Sequence, residues 1–276
     1  MPPFFRFAPL LAATSAMAGC ASTDQPVTRT ASPPSVWLLG EVHDHADGHA
    51  RRFGELQALV VAGWRPVIAM EQFDRERQAE LDAALVSCAD AACVIAAATP
   101  AKASWQWDLY QPVIALALQQ KLPIVAANLS RADGAKVVRE GFASVFDAAT
   151  LARFRLDQPL PDDLMRGQMR EIDVGHCGLL PPAMLPGMAR AQIARDVWMA
   201  KVIEDHAAQG VVLLAGNGHV RRDLGVPRWL TLPMSGVKSI GFVERQPEAG
   251  SFDQTTLIAA KADRPDPCAG LKPPPR

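Results

Sequence analysis

Four short apolar runs, each stopping on a polar residue, set what this chain can fold into: SVWLLGEVH (residues 35–43), RPVIAMEQ (65–72), LPIVAANLS (122–130) and GVVLLAGNGHV (210–220). Runs of this length, separated by stretches of helical periodicity, read as strands buried on both faces, the pattern of a parallel sheet covered by helices. Open parallel sheets bind ligands beyond the carboxyl ends of their strands. That edge is predicted to carry Glu41, His43, Glu71, Asn128, Asn217 and His219. Two of the ends share one spacing, Gly40-x-x-His43 and Gly216-x-x-His219, so a glycine turn twice presents an imidazole where a strand stops. The expectation is a single polar site.

Between the strands, residues 46–62, 74–86, 107–120 and 190–208 repeat apolar positions at three and four and read as helices. Residues 238–244 and 255–261 read as two further strands, with 246–250 as a turn, which predicts an antiparallel pair at one sheet edge. The fold class is therefore α/β, a mostly parallel sheet with flanking helices. Residues 131–210 far exceed the dozen or so that one crossover needs, and are expected to form a helical cap insertion over the site. Within it, residues 162–173 form a predicted amphipathic helix with Met165 and Met169 on one face, and residues 181–188 bring two more methionines beside His176. Methionine faces adapt to bulky apolar ligands, and ordinary core filling is the competing reading.

With 28 basic and 29 acidic side chains and a net charge of -1, nothing electrostatic points to nucleic acid or to an anionic membrane surface, and a small ligand is expected. The N-terminus is organised differently. Arg6 followed by the apolar stretch 7–18 has the charge and length of a secretory signal, and it ends in Ala18-Gly19-Cys20. Small residues ahead of a cysteine resemble the bacterial lipobox, with Met17 in place of the commoner leucine. That reading makes residues 1–19 a signal peptide, Cys20 an acylated N-terminus and residues 20–35 a flexible tether to a domain at 36–263. Ala21 after the cysteine, by resemblance to sorted lipoproteins, places the protein at the outer membrane. An ordinary cleaved signal with an incidental Cys20 is the alternative. Export would put Cys88, Cys93, Cys177 and Cys268 in an oxidising compartment, where three pairings are open. A local staple of Cys88 with Cys93 would leave Cys177 to fasten the Pro-rich tail (264–276) through Cys268.

GEVHDHADGH, the strand ending MEQFDR, GHCGLLPPAMLPGMARAQIARDVWMA and GNGHVRRDLGVPRWL, in this order, resemble the ChaN family of haem-binding lipoproteins within the haem-uptake/Tiki/TraB superfamily. The resemblance implies an outer-membrane lipoprotein that binds haem, stacked face to face between two subunits of a homodimer, and partners a haem-uptake transporter. The family's ligand is associated with tyrosine, and this chain holds one, Tyr110. His176 in the cap motif is the first candidate in its place, with His43 and His219 behind it. Arg131, Arg153, Arg155 and Arg166 are candidate propionate partners.

The superfamily also contains Tiki-type metal-dependent proteases with paired Gly-x-x-His motifs. That alternative reads His43, His219 and Glu71 as ligands of a divalent metal that lowers the pKa of a bound water, with Glu41 taking the proton and Glu71 also near the chemistry. His45, His49 and His206 read as surface or capping residues.

Overall fold

The computed structural model describes Met1 and residues 35–100, 105–262, 264–266 and 268–271. The expected signal peptide, Cys20 and the tether up to residue 34 lie outside the described residues. In chain order the elements are β1 (Val36–Leu39), α1 (Ala46–Val61), β2 (Val67–Asp74), α2 (Gln78–Ser87), α3 (Ala91–Ala98), α4 (Gln111–Gln120) and β3 (Ile124–Asn128). There follow α5 (Arg131–Glu140), α6 (Ala148–Arg153), α7 (Asp162–Gly175), α8 (Leu185–His206), β4 (Val211–Leu214), α9 (Asn217–Val220), β5 (Val237–Val243) and β6 (Gln254–Leu257). Local chemistry sets several of the starts. Asp90, Ser130 and Asp147 each accept the backbone N–H three residues on, at the N-termini of α3, α5 and α6. His45 does the same for α1 through its ring, accepting from Gly48.

All six strands run parallel in one sheet of order β3-β2-β4-β1-β5-β6. The central strands are buried on both faces because their side chains alternate between two separate cores. Val36 and Leu38, Val67 and Ala69, Val211 and Leu213 face the core that α8 and the rest of the cap complete. Leu39, Ile68 and Met70, Val212 and Leu214 face the core closed by α1, α2, α3 and α4. The long segment between β3 and β4 is helical as expected, and α8 is its spine, burying eleven residues.

One expectation fails. The β5–β6 pair is parallel, with Ile240 opposite Gln254 and Val243 opposite Leu257. Residues 244–253 do not make a tight turn but run back beside β5. Asp253 donates its N–H to the Ser239 carbonyl and accepts the Ser239 N–H on its carboxylate, and Phe252 lies over Gly241. Ten residues reach up to about 33 Å, ample to return along a four-residue strand of about 13 Å. Hairpin loops are usually two to five residues.

Among the described residues two disulfides are formed, Cys88–Cys93 between the end of α2 and α3, and Cys177–Cys268 between the cap and the C-terminal tail. Among the described residues no helix is long and apolar enough to cross a membrane.

Candidate functional site

β1 and β4 are neighbours at the centre of the sheet, and their onward connections leave in opposite directions, to β2 on one side and β5 on the other. Such a switch point opens a crevice beyond the carboxyl ends. A cleft of about 580 Å³ lies there, and His43, Glu71, Asn128 and His219 all line it. The two Gly-x-x-His motifs do converge, although His219 sits in the short helix α9 and not in a bare strand-end turn. Each motif's glycine makes room for the other motif. A Cβ on Gly40 would fall 2.2 Å from Oδ1 of Asn217, and one on Gly216 would fall 3.0 Å from Cε1 of His43. Asn217 itself is a staple, donating to the Phe242 carbonyl at 2.6 Å and accepting its N–H at 3.1 Å.

Beneath the cleft, Glu41 is fully enclosed by donors. Its Oε1 accepts the Tyr110 hydroxyl at 2.5 Å and the Nδ1–H of His43 at 2.8 Å, and its Oε2 is ion-paired with Arg52. Both members of that ion pair are buried, Glu41 at 2% and Arg52 at 1% exposure. Burial brings Arg52 down to about 10 against the attraction of Tyr110 and Glu71, so it stays charged at neutral pH. Arg52 also donates to Nδ1 of His49, whose Nε2–H reaches the His43 carbonyl at 3.1 Å. Burial pushes His49 down to about 4, which keeps it neutral and matches this tautomer. His45 is the cap it was expected to be, accepting from Gly48 at the start of α1, but both it and His49 are buried in the frame and not at the surface, and His45 donates to the Ala259 carbonyl at 2.6 Å. Both oxygens of Glu41 already accept from donors, an arrangement that favours a structural carboxylate over the general base expected of it.

The wall opposite His43 is a second imidazole held between carboxylates. His219 Nδ1 lies 2.6 Å from Asp196 Oδ1, and its Nε2 lies 3.5 Å from Glu71 Oε1 and 3.1 Å from the Gln192 amide. Burial alone would lower the His219 pKa, but the charges of Glu71 and Asp196 outweigh it and raise it to about 10. Glu71 shows the converse balance. Burial favours its neutral form, yet the His219 charge and the Gly216 N–H, 2.7 Å from Oε2, hold it ionised at about 2. Asp196 has weaker support and burial pushes it up to about 6.

Asp196 takes Nδ1 of His219, which leaves Nε2 turned toward Glu71 and Gln192. Among the described residues no group of three or more His, Cys, Asp and Glu side chains is placed to hold a metal ion. The three residues expected to hold a metal, His43, His219 and Glu71, do share the cleft. What the arrangement offers is acid–base capacity: a buried imidazolium, an ionised Glu71, and a half-exposed His43 whose Nδ1–H is held by Glu41 and whose Nε2 has no partner among the described residues.

Tyr110 is wholly buried, with its hydroxyl given to Glu41 and its pKa raised by burial, so it is not placed to reach a haem. His176, by contrast, is exposed at the end of α7. Its Nδ1–H donates to the Ile172 carbonyl at 2.7 Å, which fixes the tautomer and leaves the Nε2 lone pair free. A cleft of about 250 Å³ opens beside it, lined among others by Ile172, Gln192, Asp196 and Leu224. Nearby in sequence, Val174 and Met184 are exposed at 75% and 46%. Met165 packs against the cap core and Met169 is half-buried, and neither lines this cleft. Arg131, Arg155 and Arg166 are exposed, whereas Arg153 is engaged by Glu204 and Asp205.

The sequence reading passed over Asp196, Gln192, Arg52 and the Glu41 partnership of Tyr110. Asp196 had a signal: an acid inside the apolar stripe of α8, one turn after Gln192, belongs to a pair or to a site.

No curated protein matches the chain. Among solved structures it is similar to one described as cofacial heme binding to ChaN of Campylobacter jejuni, with a TM-score of 0.64 and 22% identity over 80% of this chain and 86% of that one. Weaker likenesses are an erythromycin esterase in its open conformation, TM-score 0.45 and 12% identity over 79% of this chain and 74% of that one, and a MARTX toxin effector domain from Vibrio vulnificus, 0.43 and 13% over 81% and 35%. Residues 27–230, well over half of the chain, match the family described as haem-binding uptake, Tiki superfamily, ChaN, and the protein belongs to that family.

Proposed function

We propose that the protein is an outer-membrane lipoprotein that captures haem on its cap, with His176 as the axial ligand, and serves haem and iron acquisition by passing its cargo to an uptake transporter. The observation that carries this reading is His176 itself: an exposed imidazole, its Nδ1–H taken by a backbone carbonyl and its Nε2 without a partner among the described residues, in a chain of a haem-binding family. Haem capture needs such a donor together with apolar surface for the macrocycle, and the exposed Val174 and Met184, close to His176 in sequence, fit that need.

The adjoining cleft, about 250 Å³, is smaller than the ~300–1,000 Å³ of pockets that enclose a ligand of that size. A macrocycle held there would leave one face outside, which supports a second copy of the chain as the other half of the site. The Campylobacter jejuni protein, described as binding heme cofacially, supports the same reading. Membrane attachment rests on Cys20 and the apolar run before it. Haem titration of the purified protein beside His176→Ala tests the capture claim. Saturable binding with a Soret band that shifts in the variant supports it, and identical titrations contradict it.

A further inference from the structure

We infer that the C-terminal segment is a strap whose Cys177–Cys268 crosslink and Arg264 clamp position His176 for its ligand. The inference rests on the haem-capture reading for its ligand and on the following geometry for its mechanics. Immediately after His176 the chain reverses through Cys177 at φ 62 and Gly178 at φ 66, two consecutive left-handed residues. Cysteine adopts that conformation at a cost, and such outliers persist where the surroundings hold them. Here the hold is covalent, because Cys177 is bonded to Cys268 in the tail.

The tail's other end is fixed on the sheet side. Arg264 donates from Nη2 to Asp44 Oδ1 at 2.6 Å, from Nε to Asp44 Oδ2 at 3.0 Å and from Nη1 to Glu244 Oε2 at 2.6 Å. Lys261 adds its ammonium to Asp44 at 3.5 Å, and His45 holds the Ala259 carbonyl at 2.6 Å. Asp44 follows His43 directly, so the clamp grips the loop that carries the cleft's exposed imidazole. Only four peptide steps separate Arg264 from Cys268, a reach of at most about 14 Å. The His43 loop and the His176 turn are therefore tied together by one short piece of chain, ionic at one end and covalent at the other. An exposed ligand on a turn free to move would spend much of its time out of place, and apparent affinity falls by the fraction that is correctly placed.

The test uses the purified full chain, ferric haem as the probe, and the variant Cys177→Ser/Cys268→Ser, which leaves no thiol beside His176 to act as a substitute ligand. The double variant is expected to bind haem on the order of tenfold more weakly, as when about a tenth of molecules hold His176 in place. Its Soret position should move toward that of His176→Ala, and amide exchange over residues 172–184 should quicken. Arg264→Gln, with the disulfide intact, should show a smaller loss in the same direction. A double variant with wild-type affinity, Soret position and exchange overturns the inference. If the double variant does not fold, Arg264→Gln carries the same comparison, and no change in its haem affinity or exchange overturns the inference. Failure of the wild-type protein to bind haem defeats the capture reading alone, and the exchange rates over 172–184 then decide whether the strap holds the turn.

Discussion

Gly216 lies against the imidazole of His43, with only 3.0 Å between Cε1 and the place a Cβ would occupy, while Gly40 faces Asn217 with 2.2 Å. Each motif thus leaves out a side chain where the other must pass. Gly40→Ala should destabilise the protein by about 1–3 kcal/mol, because the methyl displaces Asn217 from its two bonds to the Phe242 backbone. Gly216→Ala, facing a longer gap, should cost less. Urea unfolding of both variants checks the order, and a neutral Gly40→Ala would show that the motifs do not interlock.

The imidazolium between Glu71 and Asp196 makes stability depend on pH. The folded protein holds the His219 proton up to about pH 10 against an ordinary value of 6.5, so its contribution is full below pH 6.5 and lost as pH climbs to 10. Glu71, held at about 2 against 4.5, contributes above pH 4.5 and loses that contribution on acidification to pH 2. Asp196, raised from 3.8 to about 6, works the other way, and that change is complete above pH 6. Melting temperature should therefore fall between pH 6.5 and 10, and His219→Gln should flatten that slope. An equal slope in the variant would place the titrating group elsewhere.

Asp196→Ala removes one partner of a buried charge pair and should cost about 3–5 kcal/mol. The milder Asp196→Asn should bring His219 back toward its ordinary value, which a histidine NMR titration reads directly. A His219 still charged at pH 9 in Asp196→Asn would mean that Glu71 alone sets it.

Under the cleft, Arg52→Met strands Glu41 as a buried, half-satisfied charge, and a loss of about 3–5 kcal/mol is expected. Tyr110→Phe removes one donor from the same carboxylate and should cost about 1–3 kcal/mol while leaving haem binding unchanged. A Tyr110→Phe protein that folds normally but loses its Soret band would return the ligand to tyrosine.

Anchoring has a simple readout: Cys20→Ser should move the protein out of the membrane fraction or block signal processing. Unchanged fractionation would remove the lipoprotein proposal.

How much of this could be read from the chain depends on the range of the interaction involved. The central strands announced themselves because side chains buried on both faces make unbroken apolar runs, and His43 and His219 could be placed together because parallel strands end at a common edge. The cap helices and both disulfides were likewise within reach of spacing and parity. The direction of β6 was not, since a ten-residue link is long enough to turn back or to return, and the choice is made by Asp253 and Phe252 against β5. Nor were the burial of His49 or the partners of Glu41. Arg52 is one helix away and Tyr110 is 69 residues along the chain, and only the packed fold brings them to one carboxylate.

The most direct test of the account is a ferric haem titration of the wild-type protein beside His176→Ala, His43→Ala and His219→Ala, followed at the Soret band. The account predicts saturable binding in the wild type, weakened and spectrally shifted in His176→Ala. It predicts near wild-type haem affinity in the two cleft variants, whose loss should be in stability, since the cleft imidazoles are bound to Glu41 and Asp196. A wild-type Soret band that survives His176→Ala and vanishes with His43→Ala or His219→Ala would put the haem in the sheet-edge cleft and contradict the cap as its site.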